Sequence, residues 1–219
     1  MTTQTDAISE KMSRPPAERR VILQNVRWAT YEGLLTDLAN QSSIRLAYDQ
    51  GTLEIMSPLA EHERINRTLS LLIEILAEEL SIDIESLGST TFKREDLERG
   101  FEPDSCFYIQ HESSISGKSR IDLTIDPPPD LVVEVDITSG SLDKFPIYAK
   151  IGVPEIWRHD GKRLNIHILS GEEYIETDRS LAFPFLSGAG ISGFLENSRD
   201  LKRTALLQKF REWIRKQQS

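Results

Sequence analysis

Eight consecutive residues, Pro129-Asp130-Leu131-Val132-Val133-Glu134-Val135-Asp136, constrain this chain more than any other stretch. A short apolar run entered from a proline reads as a buried β-strand. Carboxylates set into such a run are costly unless they are paired, hydrogen-bonded or bound to a metal. The strand period of two puts Asp130, Glu134 and Asp136 on one face and Leu131, Val133 and Val135 on the other. At a rise of about 3.3 Å per residue, Asp130 stands roughly 13 Å from Glu134, whereas Glu134 and Asp136 are about 6.6 Å apart. The latter two can therefore serve one site, and Asp130 reads as a strand-entry residue. A second Pro-Asp, Pro103-Asp104, heads the run Ser105 to Ile109. One acid on each of two strands is the skeleton of a divalent-metal phosphodiesterase site. The plainer alternative is a set of solvated strand ends.

Composition narrows the class. The chain has 219 residues, a length that suits one domain, with 38% hydrophobic and 28% charged residues. No apolar run approaches the ~20 residues that span a bilayer. Residues 1–20 are polar, lack the apolar centre of a secretory signal and read as a disordered arm closed by Pro15-Pro16. A single cysteine, Cys106, excludes an internal disulfide and a thiolate metal site, and its apolar strand points to packing. These features together suggest the cytoplasm. The net charge of −9 argues against a broad nucleic-acid footprint, which draws on clustered Lys and Arg. A bound cation offsets part of that acidity, so a DNA substrate is retained.

The pattern along the chain predicts an α/β fold, with residues 21–219 as one domain. A helix capped by Thr30 runs over Tyr31 to Leu38, and a hairpin pairs 44–49 with 52–57 around Asp49-Gln50-Gly51. A long helix follows over 61–80, with Ile65, Leu69, Leu72, Ile73 and Leu76 at helical spacing. Strands are expected at 82–87 and 90–93, a charged turn at 95–100, then the two Pro-Asp strands, with 121–125 extended between them. Beyond Thr138-Ser139-Gly140 comes a helix over 141–151, followed by strands at 154–159, 164–169 and 173–177. The crossover between Val135 and Val153 suits a βαβ-like connection in a mixed sheet. A final amphipathic helix, 199–216, carries Leu206, Leu207, Phe210, Trp213 and Ile214 on one side.

The chemistry follows from oxygen donors. With no Cys cluster and few His, Asp104 and Glu134 favour Mg²⁺ or Mn²⁺ over zinc, with Asp136 as a third ligand or water-positioner. Lys144, expected in the first turn of the helix after the acidic strand, can point back to that strand's end and orient a water. Glu63 at the start of the long helix either reaches the metal through a water or simply suits the helix dipole. His62 has a weaker claim; His159, His167, Tyr148 and Trp157 read as structural. No Gly-x-Ser-x-Gly, Walker loop or Gly-x-Gly-x-x-Gly is present, so the sequence offers no organic-cofactor motif.

At this point the chain resembles the Uma-two family of endonucleases in the PD-(D/E)XK, restriction-endonuclease-like superfamily. The matching residues are Glu54-Ile55-Met56-Ser57-Pro58 with His62-Glu63, then Glu102-Pro103-Asp104, Pro129 to Val135, Lys144 with Tyr148, and Gly152-Val153-Pro154-Glu155-Ile156-Trp157. The resemblance implies a restriction-endonuclease-like core, a mixed β-sheet flanked by helices with an N-terminal helix and hairpin, and a Mg²⁺-dependent nuclease site. Asp104 matches the first acid, Glu134 the acid of the (D/E)XK element, and Glu63 the helix glutamate of some members. The motif lysine would stand at position 136, where this chain carries Asp. Lys144 is then a migrated replacement; the alternative is a catalytically inactive module of the same fold that binds nucleic acid or a protein partner. The stripe on the last helix must bury itself in the domain's own core or against a second chain; enzymes of this kind that cut both strands often act as dimers, so the resemblance raises the second reading, a homodimer.

Overall fold

A computed structural model describes residues 19–41, 44–137 and 141–217. Most of the expected N-terminal arm, and the Thr138-Ser139-Gly140 turn, lie outside the described residues. Arg19 and Arg20, expected in that arm, instead open strand β1 (Arg19–Leu23).

The chain is a mixed α/β fold built around two sheets. In the first, β1, β2 (Arg45–Asp49), β3 (Thr52–Ser57), β5 (Phe92–Arg94) and β6 (Arg99–Phe101) pair antiparallel in the order β1-β3-β2-β6-β5. The β2–β3 hairpin turns on Gln50 and Gly51, both at positive φ, which is the backbone a tight hairpin requires. The second sheet has the order β11-β10-β9-β8-β7-β4, from β4 (Glu85–Ser86), β7 (Ser105–Tyr108), β8 (Leu131–Val135), β9 (Glu155–His159), β10 (Leu164–Ser170) and β11 (Glu173–Thr177). Its β8–β9 pair is parallel, joined through the crossover helix α4 (Phe145–Ile151).

Helix α1 (Trp28–Asp37) lies on the first sheet. It begins before Thr30, which makes no cap; Arg27 holds that position without a side-chain bond. Trp28, Tyr31, Leu46, Tyr48 and Leu53 form the core there. Helix α2 (Ala60–Leu80) covers one face of the second sheet with α5 (Gly188–Asn197) and α6 (Arg203–Gln217). The alternation in β8 is realised: Leu131, Val133 and Val135 pack with Leu69, Ile73 and Leu76 of α2, while Val132 joins Ile147 and Tyr148 of α4 on the opposite side.

Several expected elements differ. The strand over 82–87 shrinks to β4, and 121–125 forms no strand. Part of the charged turn at 95–100 becomes a 3₁₀ turn (Glu95–Leu97) leading into β6; a short helix α3 (Glu112–Ile115) stands between β7 and β8. The crossover helix starts later than expected, because Asp143 bonds the Phe145 amide and Pro146 suits only a first turn. Lys144 therefore occupies the N-cap position rather than the first turn.

The α6 stripe is covered by the chain's own core. Phe210 and Ile214 are buried, Leu206, Leu207 and Trp213 pack around them, and Arg211 and Arg215 pair with Glu78 and Glu79 of α2.

Candidate active site

The two acids meet because of the β7–β8 register. Ser105 pairs with Val133 and Cys106 with Val132, so one step further along the ladder sets Asp104 opposite Glu134. Directly opposed residues hold their Cβ atoms about 4.5–5.5 Å apart. The Asp104 Oδ2 accepts the Val135 amide at 2.8 Å, which ties the first acid to the strand bearing the second. Both residues are almost fully buried, at 2% and 8% exposure.

Each carboxylate has its own support. Asp104 Oδ1 lies 2.8 Å from His62 Nε2, and His62 is completely buried in the first turn of α2. One turn on, Asn66 donates to the Asp104 carbonyl at 3.0 Å and accepts from Ser105 at 2.9 Å; Ser70, another turn on, donates to Ser105 at 2.8 Å. His62, Asn66 and Ser70 thus form a polar seam at i, i+4 and i+8 that locks α2 to the start of β7. Glu134 Oε2 accepts from Lys144 Nζ at 2.9 Å, and Oε1 accepts the Tyr148 hydroxyl.

These contacts set the protonation states. Burial drives Asp104 upward, but the hydrogen bond and charge of His62, the charge of Lys144 and the Val135 amide outweigh it and hold the carboxyl below its ordinary range. For Glu134, burial and the charge of Asp104 prevail over Lys144 and Tyr148, so its pKa is raised. Burial would discharge Lys144; the charges of Glu134, Asp104 and Glu54 reverse that and keep it protonated well past neutrality. Burial beside Glu134 likewise raises the Tyr148 phenol.

A pocket of about 280 Å³ opens onto Glu134, lined also by Asp136, Lys144, Phe145, Tyr148 and Arg158 together with Arg20 and Met56, while Asp104 stands behind Glu134 and does not line it. Asp136 faces it too, but its Oδ2 accepts from Arg158 at 2.6 Å and from Ser141 at 3.1 Å, and Arg20 approaches its other oxygen at 3.8 Å. Glu54, fully buried on β3, binds the Leu142 amide at 2.8 Å and Arg20 at 3.4 Å, which anchors the segment carrying Lys144. Glu63 is not brought to the acidic pair: its carboxylate turns to Arg45 at 3.5 Å. Asp130 stands apart as well, accepting the Ile109 and His111 amides and contacting the His111 ring. Cys106 is buried and its thiol is pushed up to about 12, consistent with packing. Lys150 pairs with exposed Glu172, away from the site.

Among the described residues, no group of three or more His, Cys, Asp or Glu side chains is arranged to hold a metal ion. Two opposed carboxylates still suit Mg²⁺, which is held by one or two protein carboxylates and keeps several waters. An ionised carboxylate oxygen that accepts one hydrogen bond retains a lone pair for a metal. Three supporting residues lie in the motifs that carry the family resemblance but have no role in the sequence pattern. His62 has a weak claim there, Tyr148 reads as structural, and Glu54 is one polar member of an alternating hairpin. The available signal was helical: His62, Asn66 and Ser70 share a face near the buried stripe of α2.

A family model named Uma2 and described as "Putative restriction endonuclease" matches residues 28–194. A solved structure, a "putative nuclease belonging to DUF820" from Anabaena variabilis ATCC 29413, is 18% identical over 62% of this chain and 79% of that chain, with a TM-score of 0.44. No match is found among the curated proteins. No helix among the described residues is long and apolar enough to cross a membrane.

Proposed function

Because this chain belongs to the Uma2 family, we propose that it is a metal-dependent endonuclease that hydrolyses phosphodiester bonds of DNA. The observation that carries this reading is the 2.9 Å contact of Lys144 Nζ with Glu134 Oε2. The lysine missing from position 136 is supplied from the N-cap of α4, on the same carboxylate that a (D/E)XK lysine would accompany.

Asp104 and Glu134 would hold Mg²⁺ or Mn²⁺. Such an ion, when bound, lowers the pKa of a water and polarises a phosphoryl oxygen. Lys144 stays protonated, so it acts as a fixed cation and donor: it orients the attacking water or a non-bridging phosphate oxygen and does not act as a base. Tyr148 holds the Glu134 carboxylate, and His62 holds that of Asp104. Asp136 enters as a wall residue committed to Arg158 and Ser141 rather than as a ligand, and Glu63 has no part in the chemistry. Cutting both strands with one site per chain calls for two copies, so a homodimer belongs to this reading.

The test is cleavage of plasmid and oligonucleotide DNA with Mg²⁺ and with Mn²⁺, using Asp104→Ala and Glu134→Ala as controls. The wild type cuts, and each variant loses about 100-fold or more. Metal-replete wild-type protein that cuts neither DNA nor RNA would replace this reading with that of a nuclease-fold binding module.

A further inference from the structure

Resting on the nuclease reading above, we propose that Arg158 is a substrate-positioning residue that grips one phosphate of the nucleic-acid backbone at the pocket rim. Arg158 lies on β9, in parallel register with Glu134 of β8. Adjacent strands are about 4.8 Å apart, so the two side chains flank the same opening, and both line the pocket. The next residue inward, Trp157, turns to the opposite core.

Two contacts fix the guanidinium. Its Nη2 donates to Asp136 at 2.6 Å, and its carbon sits 5.8 Å from the centre of the Phe145 ring. The side chain nevertheless remains 44% exposed, while Arg20 and Lys144 in the same pocket are only 10% and 11% exposed. A guanidinium carries five N–H donors in a planar fork, so the bond to Asp136 leaves donors to offer at the rim. An ion pair this exposed adds little stability. Its geometric consequence is larger: an arginine held on one side by a carboxylate and on another by a ring is already ordered for a bidentate phosphate contact. In a chain of net charge −9 this exposed cation stands against an acidic background, and it adjoins the Glu134–Lys144 pair.

The experiment combines cleavage kinetics with anisotropy titrations of a fluorescent DNA oligonucleotide at several salt concentrations, for wild type, Arg158→Ala and Arg158→Lys. Thermal unfolding of each variant controls for folding. Arg158→Ala is expected to raise Kd and KM about tenfold or more, with a smaller change in kcat. The slope of log Kd against log salt should fall by about one. Arg158→Lys keeps the slope and recovers part of the affinity, since charge remains and the fork is lost. A folded Arg158→Ala with unchanged Kd, KM and slope overturns the proposal. If Arg158→Ala does not fold, wild type is scanned with oligonucleotides carrying one neutral methylphosphonate each. One sensitive position whose effect is blunted in Arg158→Lys supports the contact, and uniform insensitivity overturns it. Wild type that binds but never cuts leaves the slope to decide on Arg158 while the nuclease reading falls. Wild type that neither binds nor cuts overturns both.

Discussion

Glu134 is buried beside a second carboxylate, and burial raises its pKa. Lys144 and Tyr148 oppose that tendency without reversing it, and they hold the two carboxylate oxygens in place. Replacing Tyr148 by Phe removes a hydrogen bond to a buried carboxylate, worth about 1.5–3 kcal/mol. Because that bond lowers the Glu134 pKa, its loss moves the pKa further up. The acid limb of the pH–rate profile should shift to higher pH in Tyr148→Phe, with the fold retained by circular dichroism. Asp104 behaves oppositely. Its folded pKa lies below the ordinary value of 3.8, so its stabilisation is present above that value and lost as pH falls through the folded one. Denaturant midpoints measured from about pH 6 downward should drop more steeply in wild type than in Asp104→Asn. Asp104, Glu134 and Lys144 were legible in sequence, because an acid in an apolar strand and a lysine just beyond it are local patterns. His62 and Glu54 were not, since their partners lie 42 and 88 residues away.

Among the elements, those with a strong period were readable: the β2–β3 hairpin, α2, β8 and the β9 to β11 run. Those missed draw their structure from tertiary contact. Strand β6 is Arg-Gly-Phe, too short to alternate, and is held between β2 and β5. Its Gly100 lets the buried Tyr31 ring cross the sheet: an added Cβ would come within 2.8 Å of two ring carbons and still nearer the hydroxyl. Gly100→Ala should therefore destabilise by about 1–3 kcal/mol, seen as a lower urea midpoint. Helix α5 contains three glycines in ten residues, a composition that opposes helix formation. It forms because the Ser187 side chain caps it through the Gly190 amide and Ile191 and Phe194 enter the main core. On α6 the stripe was legible, and of the two partners its pattern left open, the chain's own core or a second copy, it packs on the core. Ile214 is fully buried there, so Ile214→Ala should cost about 2–5 kcal/mol. Neither this change nor Trp213→Glu should act by splitting a dimer.

At the scale of the whole molecule, the polyanionic substrate proposed above would meet an excess of acidic residues. If the homodimer forms, light scattering gives about twice the chain mass of 24.9 kDa, and that mass persists in a folded Trp213→Glu protein, since α6 faces its own core. Charge has a further consequence at the site. Without a divalent ion, Asp104 and Glu134 repel an approaching phosphate that Lys144 and the rim of the pocket attract. Removing one unit charge a few ångströms from that phosphate changes the interaction by about 0.5–1 kcal/mol at high effective dielectric, or roughly two- to fivefold in affinity. Glu134→Gln should thus bind DNA about two- to fivefold more tightly than wild type in metal-free buffer, although it no longer cuts when Mg²⁺ is restored. Raising the salt should shrink the difference, because screening acts on both. Anisotropy titrations with a chelator present measure this directly. Equal metal-free affinities at low salt would mean that nucleic acid does not approach the Asp104–Glu134 pair, and the endonuclease reading would lose its electrostatic basis.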